Sequence, residues 1–192
     1  MIELQETAPP EGVALVRAAA TSSLPRLLGN DTVLANLSVA RPHPIYTLSS
    51  EALRAGELLA AARHTSWLYL ILQGETALAS AELRIAADQS LVFAALHEAP
   101  EDAEILSAIR RAEDDPAVAS GQYALRILRI PALSFAALWL HDPKDDRFVP
   151  FPPVPWALTP GRVYSEGQVM NAMLLLLRNQ RKGSNLDVAD SA

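Results

Sequence analysis

The chain has no cysteine, so disulfides, thiolate metal sites and cysteine nucleophiles are excluded together. Glycine is scarce, with 8 residues too scattered to build Gly-x-Gly-x-x-Gly or Gly-x-x-x-x-Gly-Lys. The common phosphate cradles are therefore missing. No Gly-x-Ser-x-Gly elbow occurs either, which removes the usual α/β-hydrolase signature. Positive charge is also lacking. A net charge of −6 and a pI near 5.2 argue against a broad electrostatic grip on nucleic acid or anionic lipid. Long apolar runs are absent: Ile130 to Leu140 is about half of the ~20 residues a spanning helix needs, and Arg129 and His141 close it. The start, Met1-Ile2-Glu3-Leu4-Gln5-Glu6, is acidic and soon meets Pro9-Pro10, unlike a secretory leader. The expectation is a cytoplasmic protein that meets neither membrane nor nucleic acid.

What is present is globular. Of 192 residues, 50% are hydrophobic and 20% charged, which suits a folded domain and not a disordered chain. A chain of this length buries roughly 70% of its extended surface on folding, enough for a core without staples. A mean hydropathy of +0.12 is high for a soluble monomer and gives weight to a self-association or partner surface. Lys144 and Lys182 are the two lysines among 16 basic residues, a usage expected of a GC-rich bacterial genome.

The first forty residues carry mixed signals. Gly12 to Ala20 reads as a short helix ended by Thr21-Ser22-Ser23 and Pro25, while Thr32 to Ala40 fits strand or helix. Arg41-Pro42-His43-Pro44 reads as extended loop, with His43 solvated. Ser49 or Ser50 can cap a helix running to about Arg63, with His64 at its C-terminal end. Trp67 to Leu72 and Ala77 to Ala86 flank Gln73-Gly74-Glu75, and Glu82 and Arg84 alternate against Ala81, Leu83 and Ile85. That pattern predicts a half-wet antiparallel hairpin, extended by Leu91 to Leu96 after the Asp88-Gln89 turn. Pro100 opens a helix over Glu101–Asp114 that Pro116 stops. Tyr123 to Ile130 and Ala132 to Leu140 read as strands, with a bulge or bend to explain Arg126 and Arg129 being three apart. Six of the 14 prolines fall between Pro143 and Pro160, an extended connection. Ser165 and Gln168 form a capping box for a last helix that Gly183 stops, followed by a disordered tail over 184–192.

Chemistry-bearing residues are few. His97-Glu98 invites a zinc reading, but Pro100 breaks any helix that would align a second ligand, and no metal or cofactor is expected. His141-Asp142, at a strand end, offers an imidazole with a nearby carboxylate; the plainer alternative is a polar strand stop before Pro143. Arg126 and Arg129 could anchor a carboxylate or phosphate in a cleft, or at least one could lie on the wet face. Asp114 and Asp115, at the negative end of their helix, suggest an acidic patch or an ordinary charged surface. Pro150-Phe151-Pro152-Pro153-Val154-Pro155-Trp156 has polyproline composition. It fits either a ligand for a partner's aromatic groove or a strap over its own sheet, with Phe151 and Trp156 as anchors.

The blocks Trp67 to Ile71, Ala77 to Leu83, Leu125 to Leu133 and Ala137 to Leu140 resemble a group of uncharacterised bacterial proteins. The resemblance implies bacterial origin; it implies no activity, ligand or catalytic residue.

Together these signals predict one α+β domain over residues 1–183. An antiparallel sheet of about five strands would carry the Ser50–Arg63 and Glu101–Asp114 helices on one face. The proline strap leads into a C-terminal helix that completes the layer or docks elsewhere. Leu174-Leu175-Leu176-Leu177 is apolar all round, which demands burial on more than one side. A non-enzymatic binding or assembly protein follows, docking a protein partner or a second copy through Phe151, Trp156, Leu175 and Leu176. The alternative is a small-molecule binder, or a hydrolase-like or isomerase-like enzyme, with His141 and Asp142 as acid–base pair and Arg126 or Arg129 as anion anchor.

Overall fold

The computed structural model describes residues 2–3, 7–27, 37–119 and 121–189. Among these, the order is β1 (Ile2–Glu3), α1 (Glu11–Leu27), β2 (Leu37–Val39), β3 (His43–Thr47), α2 (Ser50–Ala55), β4 (Arg63–Gln73), β5 (Thr76–Ile85) and β6 (Leu91–Glu98). It continues with α3 (Ala99–Asp114), α4 (Pro116–Ala119), β7 (Tyr123–Ile130), β8 (Phe135–His141), β9 (Arg147–Pro150), β10 (Tyr164–Ser165) and α5 (Glu166–Ala189). The protein is α+β, but its sheet has ten strands where the sequence suggests about five. The main path runs β10-β9-β8-β7-β3-β4-β5-β6, with β1 along β7 and β2 along β4. Neighbours are antiparallel except at β3–β7 and β1–β7, which are parallel.

The expected hairpin is present: β4 and β5 pair across Gly74-Glu75, and β6 follows β5 antiparallel. The additional strands are short or rich in proline. β3 contains Pro44 yet joins the two halves of the sheet, because its pairing with β7 begins one residue later, at Ile45. β9 lies within the stretch read as a connection, and pairs with β8 from Leu140↔Arg147 to Ala137↔Pro150.

Side-chain alternation assigns the helices to the sheet's two faces. Leu128, Ile130, Phe135, Ala137, Trp139 and Phe148 pack with α2 and α5 residues including Leu53, Val169, Met170, Met173 and Leu177. The intervening Leu125, Ile127, Leu138 and Leu140 pack with Ile105, Ala108 and Ala112 of α3 on the other side. Val16, Ala20 and Leu24 of α1 cover Trp67, Tyr69, Ile71 and Leu83. The expected one-sided helix layer is thus overturned: α2 and α3 lie on opposite faces. Because both faces are covered, the sheet can be longer than a one-layer domain allows.

Several element ends also differ from expectation. α1 continues past Thr21-Ser22-Ser23 and through Pro25. The Thr21 and Ser22 hydroxyls donate to the carbonyls of Arg17 and Ala19, and Val16, Ala20 and Leu24 hold the helix to the sheet at four-residue spacing. Ser49 caps α2 through Ala52 N–H at 3.1 Å. The helix ends at Gly56, whose φ of 75° is left-handed, and only a 3-10 turn over Leu58–Ala61 follows before β4. The second half of the expected Ser50–Arg63 helix is therefore replaced. β8 begins at Phe135 because Pro131–Leu133 forms a 3-10 turn closed by Ser134 at φ 47°. α5 passes Gly183 and ends at Ala189, so the expected end of helix and start of tail are displaced. A glycine inside a helix costs about 1 kcal/mol relative to alanine and does not by itself stop it. Residues 190–192 lie outside the described residues, as does 28–36 of the uncertain N-terminal stretch. Among the described residues, no helix is long and apolar enough to cross a membrane.

Candidate functional site

Two places gather the residues that the sequence singles out. The first surrounds Trp139 on the α5 face. Trp139 is buried, and its indole N–H donates to Asp146 Oδ1 at 2.7 Å. The same oxygen meets His141 Nδ1 at 2.8 Å. His141 therefore has a carboxylate partner, but it is not the expected one. Asp142 instead accepts the Lys144 backbone N–H at 2.8 Å and shapes the turn. The turn returns the chain through β9, which brings Asp146 back beside β8. Burial, and then the Asp146 charge, push the Glu166 carboxyl above its ordinary range.

Arg126 joins the same group, its guanidinium 4.7 Å from the Tyr46 ring centroid and 4.9 Å from that of Trp139. His64 stacks on Tyr46 with ring centroids 5.2 Å apart; it belongs to β4, not to a helix end. Arg129 is elsewhere. β7 and β8 pair without a register shift, so there is no bulge, and residues 126 and 129 face opposite sides. Arg129 Nη1 donates to Glu82 Oε2 at 2.6 Å, and Glu82 Oε1 accepts the Ser66 hydroxyl at 2.7 Å. Burial works to raise the Glu82 pKa, but Ser66 and Arg129 outweigh it and hold the carboxyl below its usual range. The two arginines cannot form one anion site.

His43 is buried on the α3 face, not solvated, and burial pushes its imidazole down to about 4. Its Nδ1 has no hydrogen-bond partner among the described residues. Among those residues there is no group of three histidine, aspartate or glutamate side chains placed to hold a metal ion.

The second place is the strap and the outer side of α5. Phe151 is buried against the α3-side core, as an anchor should be. Leu158 is buried with α5 on the other side of the sheet. Gly161 N–H donates to the Pro150 carbonyl at 2.8 Å, and Thr159 N–H to the Tyr164 hydroxyl at 2.8 Å, which fix the strap near its ends. Between Phe151 and Leu158 stands Trp156. It is 72% exposed, whereas Trp67 and Trp139 are 4% and 3% exposed. The second expected anchor is therefore overturned.

On α5, Val169, Met170, Met173 and Leu177 turn to the core, while Leu175 is 41% exposed. Leu176 is partly buried and joins Leu133, Pro153, Val154 and Pro155 around a cleft of about 230 Å³, with Ser134 and Gln180 completing its lining. Sequence reasoning found Arg126, His141, Trp156 and Leu176, but missed Tyr46, Asp146 and Val154. Tyr46 carried a partial signal as an aromatic just after a proline pair. Asp146 carried none, because its role depends on the turn that precedes it. No protein-family model, curated protein or solved structure matches the chain.

Proposed function

We propose that the protein is a non-enzymatic docking or assembly protein that binds another protein chain through the strap and the outer side of α5. The exposure of Trp156 carries this reading. A tryptophan withdrawn from water contributes a large contact area with few torsions to order, and such residues are enriched among those that dominate interface energies. Trp156 also stands on a segment fixed on both sides by Phe151 and Leu158, so little ordering remains to oppose association. Leu175 of α5 is also 41% exposed, and Leu176 lines a cleft with Leu133 and strap residues Pro153, Val154 and Pro155.

A photo-crosslinking residue at position 156, introduced in cells that make the protein, tests this. A discrete adduct is expected at 156, weakened by Leu176→Glu and absent with the probe at exposed Glu113. No adduct at 156, or equal adducts at 156 and 113, defeats the reading.

The pairing of His141 with Asp146 favours a second reading, a small-molecule binder or an acid–base enzyme on the α5 face. A carboxylate on Nδ1 would orient the ring and leave Nε2 to exchange a proton. Native mass spectrometry of gently purified protein separates the readings. A monomer carrying a small-molecule adduct that His141→Ala and Arg126→Met abolish would put the second first.

A further inference from the structure

A separate cleft lies between α2 and α5. Arg54 enters it from the last turn of α2, and Leu174, Leu177 and Arg178 from α5. Spacings of three and four residues put the α5 members on one side of their helix. Leu177 is buried in the α5-side core and Leu174 packs against that core, so the floor of the cleft is apolar and fixed. The volume is about 230 Å³, several times the roughly 30 Å³ share of one water. That is room for a small organic molecule and too little for a diacyl lipid.

The charge of the lining selects the occupant. In the hollow beside Thr47, Arg63 is opposed by Glu51 and Glu57. Beside the start of β5, Arg110 and Arg111 stand with Glu75 and Asp114. The cleft at the strap has no charged residue. Between α2 and α5, two guanidiniums meet over leucine with no carboxylate in the lining. In a chain of net charge −6 this is a local reversal of sign. Two cations beside an apolar floor repel each other, and an anion between them removes that cost. Arg54 has a competing partner in Glu51 at 3.8 Å, but that pair is exposed and of the kind that contributes little. Arg178 has no acidic partner among the described residues.

We propose that this cleft binds a free amphipathic anion, a carboxylate or phosphate head on a short apolar body. Arg54 and Arg178 take the head, since the planar guanidinium fork matches carboxylate and phosphate oxygens. Leu174 and Leu177 take the body, which leaves water as it binds. Neither half suffices alone. The site shares no residue with the strap or with Trp156, so its success or failure is independent of the docking reading.

Octanoate and octyl phosphate, each kept below the concentration at which it forms micelles, are titrated into protein with isotopically labelled leucine methyls. Saturable shifts centred on Leu174 and Leu177 are expected with at least one of them. Octanol, which keeps the tail, and acetate, which keeps the charge, should bind at least about tenfold more weakly. Arg54→Gln and Arg178→Gln should each weaken binding at least about tenfold, as for loss of one charge-assisted hydrogen bond. Arg17→Gln, at an exposed arginine of α1, should leave it unchanged. No saturable shift at either leucine with either probe overturns the site. Octanol binding as tightly as octanoate, or Arg17→Gln weakening binding as much as Arg178→Gln, overturns the anion assignment.

Discussion

The two faces of the sheet bury a histidine by different means. On the α3 face, buried His43 lies opposite Leu68, has no partner for Nδ1 among the described residues, and avoids the desolvation penalty by remaining neutral. On the α5 face, His141 is only partly covered and meets a carboxylate that Trp139 also holds. The first histidine stands isolated within an apolar layer, apart from the Arg129–Glu82–Ser66 group on the same face; the second is joined into a network. Networks of this kind stabilise when every member is satisfied and fail together when one is removed.

Removing Trp139 should therefore have the largest effect. Trp139→Ala is expected to destabilise the fold by about 3–5 kcal/mol, read from urea unfolding, because it empties a core site. Trp139→Phe keeps a ring but deletes the donor to Asp146, and should cost about 1–3 kcal/mol. A phenylalanine variant as stable as wild type would mean that the Asp146 bond contributes nothing and would erase the contrast between the two histidines.

His43 sharpens the contrast through pH. Its imidazole has an ordinary value of 6.5 and is held at about 4 in the folded protein. Above the ordinary value both folded and unfolded chains leave it neutral, and its contribution to stability is fully present. As pH falls towards 4 the unfolded chain takes up the proton first, so stability is lost through that window, on the order of 3 kcal/mol in all. His43→Leu should remove this part of the acid slope, with unfolding midpoints compared at neutral and acid pH. An unchanged slope in the variant would show that His43 is not the group responsible.

How much of this was legible follows from how local each signal is. The β4–β5 hairpin was readable because Glu82 and Arg84 alternate with apolar residues across one short turn. β3 was not, since Pro42-His43-Pro44 has loop composition and its strand character comes from β4 and β7 on either side. The same holds for the faces of α2 and α3: each is amphipathic alone, and only the assembled sheet determines which side each covers. At the candidate sites, His141 and Arg126 stood out by residue type. Their partners depend on a turn and on strand order, and Asp142 was paired with His141 because it adjoins it in sequence. For Trp156, a buried anchor and an exposed knob have identical composition.

Trp156 extends the comparison from the two faces to the two kinds of aromatic residue, and its expected effect on folding is the smallest. Trp156→Ala, at a site 72% exposed, should change unfolding free energy by no more than about 0.5 kcal/mol. Phe151→Ala, on the same strap but buried, should cost about 3 kcal/mol or more. The two substitutions then separate the strap's roles: Phe151 holds it to the sheet, and Trp156 does not. Measured on the monomer at low concentration, a large loss with Trp156→Ala would mean that its ring supports the fold after all, and the argument that it is held out for a partner would lose its physical basis.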